Sequence, residues 1–318
     1  MKKAVVFGAL GQMGSFLCEL LASKGYEVHG VARVNADMNK LYELTLDSNI
    51  KIHRINVQNK PEIETLLRFT RPTEVYNFCA ITSTSKIWDD LDYLMEINAR
   101  VPQYILEAIY EIDISIKFFQ ASSCLIFGND ESGFQNEQTC SHPTHPYGAA
   151  KLYATNMCKM FRQDKGLFAC SGIIFPNESE RRGKEFFTKK VVSAVARIKN
   201  GSDEKLKLGD LSQLRDWSYS PDTVEACYLM MQAEKADDYV IGSGIVTSTK
   251  EFVEKCFEYV GLNYKDHVEY DEVLHRKNDF KTMKANTAKI EKELDWSSKH
   301  SVDDIIRIMI SYELEFIK

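Results

Sequence analysis

The run Ala4-Val5-Val6-Phe7-Gly8-Ala9-Leu10-Gly11-Gln12-Met13-Gly14-Ser15 decides the fold. Four apolar residues make a short buried strand, and three glycines follow at three-residue spacing. Phe16, Leu17, Leu20 and Leu21 then recur at helical spacing. Lys24-Gly25 closes that helix, and residues 26–31 read as a second strand. Strand, glycine turn and helix in this order bring unpaired helix-terminal amides next to a turn without side chains. Such a turn accepts a diphosphate, so Gly8, Gly11 and Gly14 are the expected pyrophosphate contacts of a dinucleotide. The plainer reading of the same residues is a tight turn that uses glycine for backbone freedom alone.

The same alternation continues outward. Strands are expected at 50–55, 74–80, 116–122 and 168–175, and helices at 91–110 and 147–161, the first bent or restarted at Pro102. Crossovers of this length predict an α/β fold, a Rossmann-like doubly wound parallel sheet with a smaller C-terminal substrate-binding lobe. Residues 1–175 are the expected dinucleotide-binding domain, with 211–245 returning to it, and 176–318 are expected to be predominantly the substrate-binding lobe. Within the latter, helices are expected at 186–199 and 221–232, a strand at 239–241, and a capping box at Ser301-Val302-Asp303-Asp304.

Composition excludes several classes. Forty Lys plus Arg against 46 Asp plus Glu leave a net charge of −6, so nothing draws the whole chain to nucleic acid. At 44% hydrophobic and 27% charged, the chain is not a disordered one. The longest apolar runs are too short for a membrane-spanning helix, and the glycine-broken start has no signal-peptide cleavage site. Eight cysteines are scattered without a CxxC pair, which argues against a disulfide framework or zinc knuckle and for a reducing cytoplasm.

Two further stretches carry chemistry. After the second strand, Gly30-Val31-Ala32-Arg33 lacks the carboxylate that would bind ribose hydroxyls. Arg33 fits a 2′-phosphate and favours NADP(H), while Asp37 fits a ribose and leaves NAD(H) open. In Tyr147-Gly148-Ala149-Ala150-Lys151, tyrosine and lysine share one helical face. An ammonium beside a phenol favours the phenolate, so Lys151 is expected to lower the Tyr147 pKa. Such a phenol exchanges a proton with an alcohol–ketone pair. Ser123, at the end of the fifth strand, is expected to hold the substrate oxygen beside Tyr147. Trp217 is expected to pack beside Arg215 and His29 to be structural. The basic run from Arg181 to Lys190 is either a solvated face or an anion site.

With these residues, and with Tyr26-Glu27-Val28-His29-Gly30, Pro72-Thr73-Glu74-Val75-Tyr76-Asn77, Glu178-Ser179-Glu180-Arg181-Arg182-Gly183 and Arg215-Asp216-Trp217, the chain resembles the extended short-chain dehydrogenases/reductases. Within them it is similar to the GDP-mannose 4,6-dehydratase branch, over essentially its full length. The resemblance implies that Tyr147 is the catalytic acid/base, that Lys151 also binds the nicotinamide ribose, and that Ser123 holds the C4 oxygen. It implies a further cofactor contact at Ala80 and sugar contacts at Thr82, Ser83 and Asn177. Lys190, Arg215 and Arg276 would line the diphosphate and guanosine site. The implied substrate is a GDP-sugar, and because the segment after Arg33 is shorter than the family's loop that helps make tetramer contacts, a homodimer is expected, with a tetramer as the alternative.

Two departures matter. The branch's strand-end motif, similar to Ser-Thr-x-Glu-x-Tyr-Gly, corresponds here to Ser122-Ser123-Cys124-Leu125-Ile126-Phe127-Gly128. Leu125 stands where the glutamate that removes the C5 proton would be. Likewise Pro176 stands where the branch has an asparagine, with Asn177 next to it. The expected activity is therefore NADP(H)-dependent oxidoreduction at C4, as a 4-keto-sugar reductase or 4-dehydrogenase. A 4,6-dehydratase with a relocated base (Glu178, Glu180 or Asp216) and a C4 epimerase are the alternatives. A non-catalytic nucleotide-sugar binder is a third class, opposed by the intact Ser123, Tyr147 and Lys151.

Overall fold

Ala4 and Val6 of β1 (Lys3–Phe7) enter one apolar core, and Val5 and Phe7 enter another. Burial on both faces is what a parallel sheet covered by helices requires. The computed structural model describes residues 1–36, 49–82, 87–129, 133–274 and 280–316. Asp37, Ser83 and Arg276 lie outside the described residues.

The first half of the chain continues through β2 (Glu27–Ala32), β3 (Ile50–Arg54), β4 (Glu74–Asn77), β5 (Lys117–Ala121) and β6 (Ala169–Ile174). The second half adds β7 (Asn177–Glu178), β8 (Leu206–Leu208), β9 (Leu214–Asp216), β10 (Ser218–Tyr219), β11 (Tyr239–Ile241), β12 (Val246–Ser248) and β13 (Val268–Tyr270). Seven strands form one parallel sheet in the order β11-β6-β5-β4-β1-β2-β3. The chain leaves β1 toward β2 and β3 and returns on the other side of β1 with β4. A crevice therefore opens at the carboxyl ends of β1 and β4, the switch point where open α/β sheets carry their ligands.

The described helices are α1 (Gln12–Ser23), α2 (Lys60–Thr70), α3 (Leu91–Met95), α4 (Val101–Ile112), α5 (Pro146–Lys165), α6 (Phe187–Lys199), α7 (Ser220–Gln232), α8 (Thr249–Tyr259), α9 (Ala288–Leu294) and α10 (Val302–Phe316). Leu17 and Leu21 of α1 share a core with Val224 and Met230 of α7 on one sheet face. Ile63 and Leu67 of α2, Ile105 and Ile109 of α4 and Cys158 of α5 fill the other. A separate core joins Val191 and Val195 of α6 to Phe252 of α8 and Ile305 and Met309 of α10, around Trp217. Trp217 packs on Phe187 and Phe252, with ring centroids 6.5 and 4.9 Å away.

Two elements differ from the sequence expectation for physical reasons. The helix expected over 91–110 is α3 and α4 joined by a π-helical turn, Glu96–Arg100. The helix runs on through Arg100 and Val101 in helical conformation, and the wider π turn just before Pro102 is where the regular ladder changes to accommodate a residue without an N–H. The strand expected to reach residue 80 ends at Asn77, because the Asn77 side chain accepts the Cys79 N–H at 3.1 Å and turns the chain. The capping box forms at α10. Asp304 N–H donates to Ser301 Oγ at 3.2 Å, and the Ser301 hydroxyl and N–H donate back to Asp304 Oδ2 at 2.7 and 3.1 Å, the two bonds that hold the Asp304 pKa down at about 2.

Candidate active site

The three loop glycines are required for three different reasons. Gly8 has φ +79°, and a Cβ there would meet the Phe78 carbonyl carbon at 2.8 Å. A Cβ on Gly14 would meet Gly8 O at 2.1 Å, so Gly14 lets α1 start against the turn. Gly11 is exposed, and nothing but Gly8 O, at 3.2 Å, would meet its Cβ. The loop is thus a bare cradle at the N-terminus of α1, suited to a pyrophosphate. Arg33 lies exposed after β2, and its charge reaches Cys79 after β4, so both border one crevice. Half-buried Ala80 and exposed Thr82 follow Cys79. Asn98, fully buried in the π turn, clamps that loop by accepting the Ile81 N–H at 2.8 Å and donating to Ile81 O at 3.0 Å.

Ser123, Tyr147 and Lys151 converge at the carboxyl end of β5. Ser123 is buried, its Oγ accepts the Leu125 N–H at 3.2 Å, and it lies near enough to Tyr147 to draw that phenol's pKa down. Lys151 is buried, donates from Nζ to Ala121 O at 2.8 Å, and has its ammonium 5.6 Å from the Tyr147 ring centroid. Burial holds the Lys151 pKa down at about 8. Tyr147 begins α5 with His145 as its cap, the imidazole Nδ1 accepting the Tyr147 N–H at 3.3 Å. Gly148 brings α5 against the turn after β5, since a Cβ there would meet Leu125 O at 2.4 Å.

The Tyr147 phenol corrects one expectation. Burial, and then the neighbouring Cys124, push its pKa well up, while Arg182 and the Ser123 hydrogen bond pull the other way. Desolvation therefore outweighs any help from Lys151, whose ammonium is turned to the Ala121 carbonyl. At neutral pH the phenol holds its proton and is a donor.

The sugar-side residues are more heavily engaged than expected. Asn177 Oδ1 accepts from Gln12 Nε2 at 3.0 Å and from Ser220 Oγ at 2.8 Å, so that oxygen braces the wall. Lys190 is exposed and donates to Lys207 O at 2.8 Å. Arg215 is buried, donates to Leu214 O at 3.0 Å, and its charge reaches Cys124 beside Ser123. The basic run is neither a plain solvated face nor an open anion site, because Arg181, Arg182 and Lys189 pair with Glu19, Glu178 and Glu313.

The three carboxylates weighed as a relocated base all have internal partners. Glu178 is buried, accepts from Thr188 Oγ1 at 2.6 Å and pairs with Arg182 at 3.1 Å. Glu180 accepts from the Tyr219 hydroxyl at 3.2 Å. Asp216 is buried and accepts from Ser243 N and Oγ at 2.7 and 2.8 Å and from Gly244 N at 2.8 Å. Burial pushes the Cys124 thiol up to about 12, so it is no substitute base. Among the described residues no cluster of three or more His, Cys, Asp or Glu could hold a metal ion, and no helix is long and apolar enough to cross a membrane.

Sequence reasoning gave no structural role to Gln12, Asn98 or Gly148, and read Arg182 only as part of the basic run. An asparagine inside an apolar helix and a glycine directly after the tyrosine were the available signals for two of them. The partners of Gln12 and Arg182 are distant in sequence and left no local trace.

A bare glycine turn at the switch point of a doubly wound sheet, with serine, tyrosine and lysine converging beside it, defines an extended short-chain dehydrogenase/reductase. A family model described as "GDP-mannose 4,6 dehydratase" matches residues 5–309. GDP-mannose 4,6 dehydratase 1 of Arabidopsis thaliana is 37% identical over 329 residues, covering 100% of this chain and 91% of that protein. The GDP-mannose 4,6 dehydratase of Homo sapiens is 33% identical over 342 residues, covering 99% and 92%. The chain belongs to the GDP-mannose 4,6-dehydratase family. Its fold is shared by dTDP-glucose 4,6-dehydratase from Bacillus anthracis in complex with NAD, with TM-score 0.88, 20% identity and coverage of 99% and 97%. UDP-glucose 4-epimerase from Thermotoga maritima with UDP-glucose gives TM-score 0.88, 20% identity and coverage of 99% and 100%.

Proposed function

We propose that the chain is an NADP(H)-dependent oxidoreductase acting at C4 of a GDP-linked hexose or related sugar, and that it leaves the C5 proton and the C6 hydroxyl in place. The observation that carries this is the pairing, within one turn after β5, of a serine beside Tyr147 with an aliphatic Leu125. The redox side chains are assembled there without the carboxylate that elimination needs. Losing a general base typically costs 10²–10⁴-fold in rate. Glu178, Glu180 and Asp216 are each held by internal partners, which argues against a substitute.

The residues present fit a dinucleotide. The glycine cradle leaves space for a pyrophosphate, and Arg33 provides a cation at the crevice edge for a 2′-phosphate. When bound, a nicotinamide exchanges hydride with C4 of the sugar. In reduction, Tyr147 gives its hydroxyl proton to the C4 oxygen, and in oxidation it takes that proton back. Its raised pKa suits the donor role. Ser123 orients the same oxygen, and Lys151 supplies a nearby positive charge. Lys190 and Arg215 are the proposed diphosphate contacts. Asn177 acts from the wall behind them, and a homodimer is the proposed assembly.

The second reading is a 4,6-dehydratase, favoured by the full-length match and the 37% identity to the Arabidopsis protein. One experiment separates the two. GDP-mannose, and separately its 4-keto-6-deoxy derivative, are incubated with the enzyme and NADP(H) in D₂O. Mass spectrometry then reads loss of water, and NMR reads deuterium at C5. C4 reduction or oxidation with no water lost supports the proposal. Stoichiometric 6-deoxy-4-keto product at catalytic turnover overturns it in favour of the dehydratase.

A further inference from the structure

Gln12 is the one polar side chain between Gly8 and Gly14. It is the first residue of α1, where backbone amides have no intrahelical partner and face an incoming anion. Its side chain leaves the loop and crosses to the opposite wall. Gln12 Nε2 donates to Asn177 O and to Asn177 Oδ1, both at 3.0 Å, and Gln12 Oε1 accepts from Ser179 Oγ at 2.9 Å. One amide thereby makes three bonds to a segment 165 or more residues away. The Asn177 backbone carbonyl can only accept, so it fixes the nitrogen of the Gln12 amide, and Asn177 Oδ1 then faces that nitrogen and accepts from Ser220 Oγ at 2.8 Å.

The wall it grips leads to the reacting end. Glu178 lies between the two gripped residues and pairs with Arg182 at 3.1 Å. The Arg182 charge in turn acts on the Tyr147 phenol. The gripped segment thus carries a buried carboxylate whose cationic partner, Arg182, bears electrostatically on the proposed proton donor.

We propose that Gln12 is a positioning residue that couples occupancy of the glycine loop to the nucleotide-sugar wall at 177–182, so that the two ligands bind cooperatively. This rests on the C4 oxidoreductase reading above. A pyrophosphate drawn onto the α1 amides holds Gln12 in place, and Gln12 holds Asn177 and Ser179. By linkage, each ligand then tightens the other by the same factor. A purely structural bond predicts no such factor.

The test uses NADPH with GDP-mannose, a pair that does not turn over because both are reduced. Calorimetry measures the GDP-mannose Kd with and without saturating NADPH, in wild type, Gln12→Leu, Ser179→Ala and the double variant, with thermal melts confirming folding. Wild type should show about tenfold tightening, within the usual range for coupled sites. Gln12→Leu should reduce it to about one, with the NADPH Kd itself changed less than about threefold. Ser179→Ala should lose part of the coupling, and adding it to Gln12→Leu should cost nothing more. In turnover assays the sugar KM should rise while kcat stays within about twofold. Undiminished coupling in Gln12→Leu and in Ser179→Ala would overturn the inference, as would independent binding of the two ligands to wild type. Wild type that binds NADPH but not GDP-mannose would instead refute the nucleotide-sugar reading, and the coupling with it.

Discussion

Two polar regions border the crevice, and their polar atoms are used in opposite ways. At the end of β5, Ser123, Tyr147 and Lys151 are close to one another, and the Ser123 hydroxyl and the Lys151 ammonium each meet one backbone group, the Leu125 N–H and the Ala121 carbonyl. Across the crevice, Asn177, Glu178 and Asp216 are each bound by two or more internal partners. The residue types alone do not separate the regions, since both are rich in groups that take part in catalysis elsewhere. What separates them is whether hydrogen-bonding capacity remains for a ligand or is already satisfied by the fold. The first region keeps hydrogen-bonding capacity free for the proposed substrate, and the second spends its capacity on the wall.

The largest expected effect tests the first region. Tyr147→Phe removes the proton donor while keeping the ring, so C4 oxidoreduction should fall by about 10²–10⁴-fold. Its melting temperature should stay within a few degrees of wild type. Steady-state rates from nicotinamide absorbance, paired with a thermal melt, measure both. A loss below about tenfold would remove Tyr147 from the reaction.

Asp216→Ala tests the second region and should give the reverse signature. It strips the acceptor from Ser243 N and Oγ and from Gly244 N in a buried place. Unsatisfied buried donors of this kind cost about 1–3 kcal/mol each at most, so a loss of roughly 2–4 kcal/mol is expected. Urea denaturation measures it. A variant as stable as wild type but without turnover would move Asp216 to the reactive side of the comparison.

How much of this was legible beforehand follows the same division. Apolar periodicity and the glycine spacing carry the sheet and its cradle, because both are local. The four-residue step from Tyr147 to Lys151 and the strand-end place of Ser123 are local too. The grip of Gln12 on Asn177, the Asn98 clamp on Ile81 and the donors around Asp216 join distant parts of the chain, and no spacing rule reports them. The Tyr147 pKa was misjudged for a related reason. Its direction is set by burial, which three-dimensional packing decides, and the lysine one helical turn away does not override it.

Arg33 lies outside both regions, and its effect should be smaller. Replacing this exposed side chain with alanine should remove the proposed charged contact to a 2′-phosphate, for a loss of about tenfold in NADP(H) affinity with NAD(H) affinity within about twofold. Fluorescence titration of both coenzymes reads it. An unchanged NADP(H) Kd would place the coenzyme preference elsewhere.

The smallest effect is a pH dependence in which activity and stability move in opposite directions. Lys151 has its pKa lowered to about 8 by burial. If its ammonium supports the reaction, free-enzyme kcat/KM should fall as pH rises through about 8, by about half at that pH. Lys151→Arg, whose side chain stays charged, should lack that inflection. The stability sign is the other way. The folded pKa lies below the unfolded value near 10.4, so between the two the unfolded chain binds more protons. Stability therefore rises with pH across that window, as the cost of a buried charge, fully present below about 8, is relieved. Denaturation of wild type and Lys151→Met at a series of pH values isolates this contribution as a difference. Wild type should gain on the variant from about pH 8 upward. A flat difference, or an inflection retained in Lys151→Arg, would show that the buried ammonium serves only to anchor the Ala121 carbonyl, and Lys151 would join the wall.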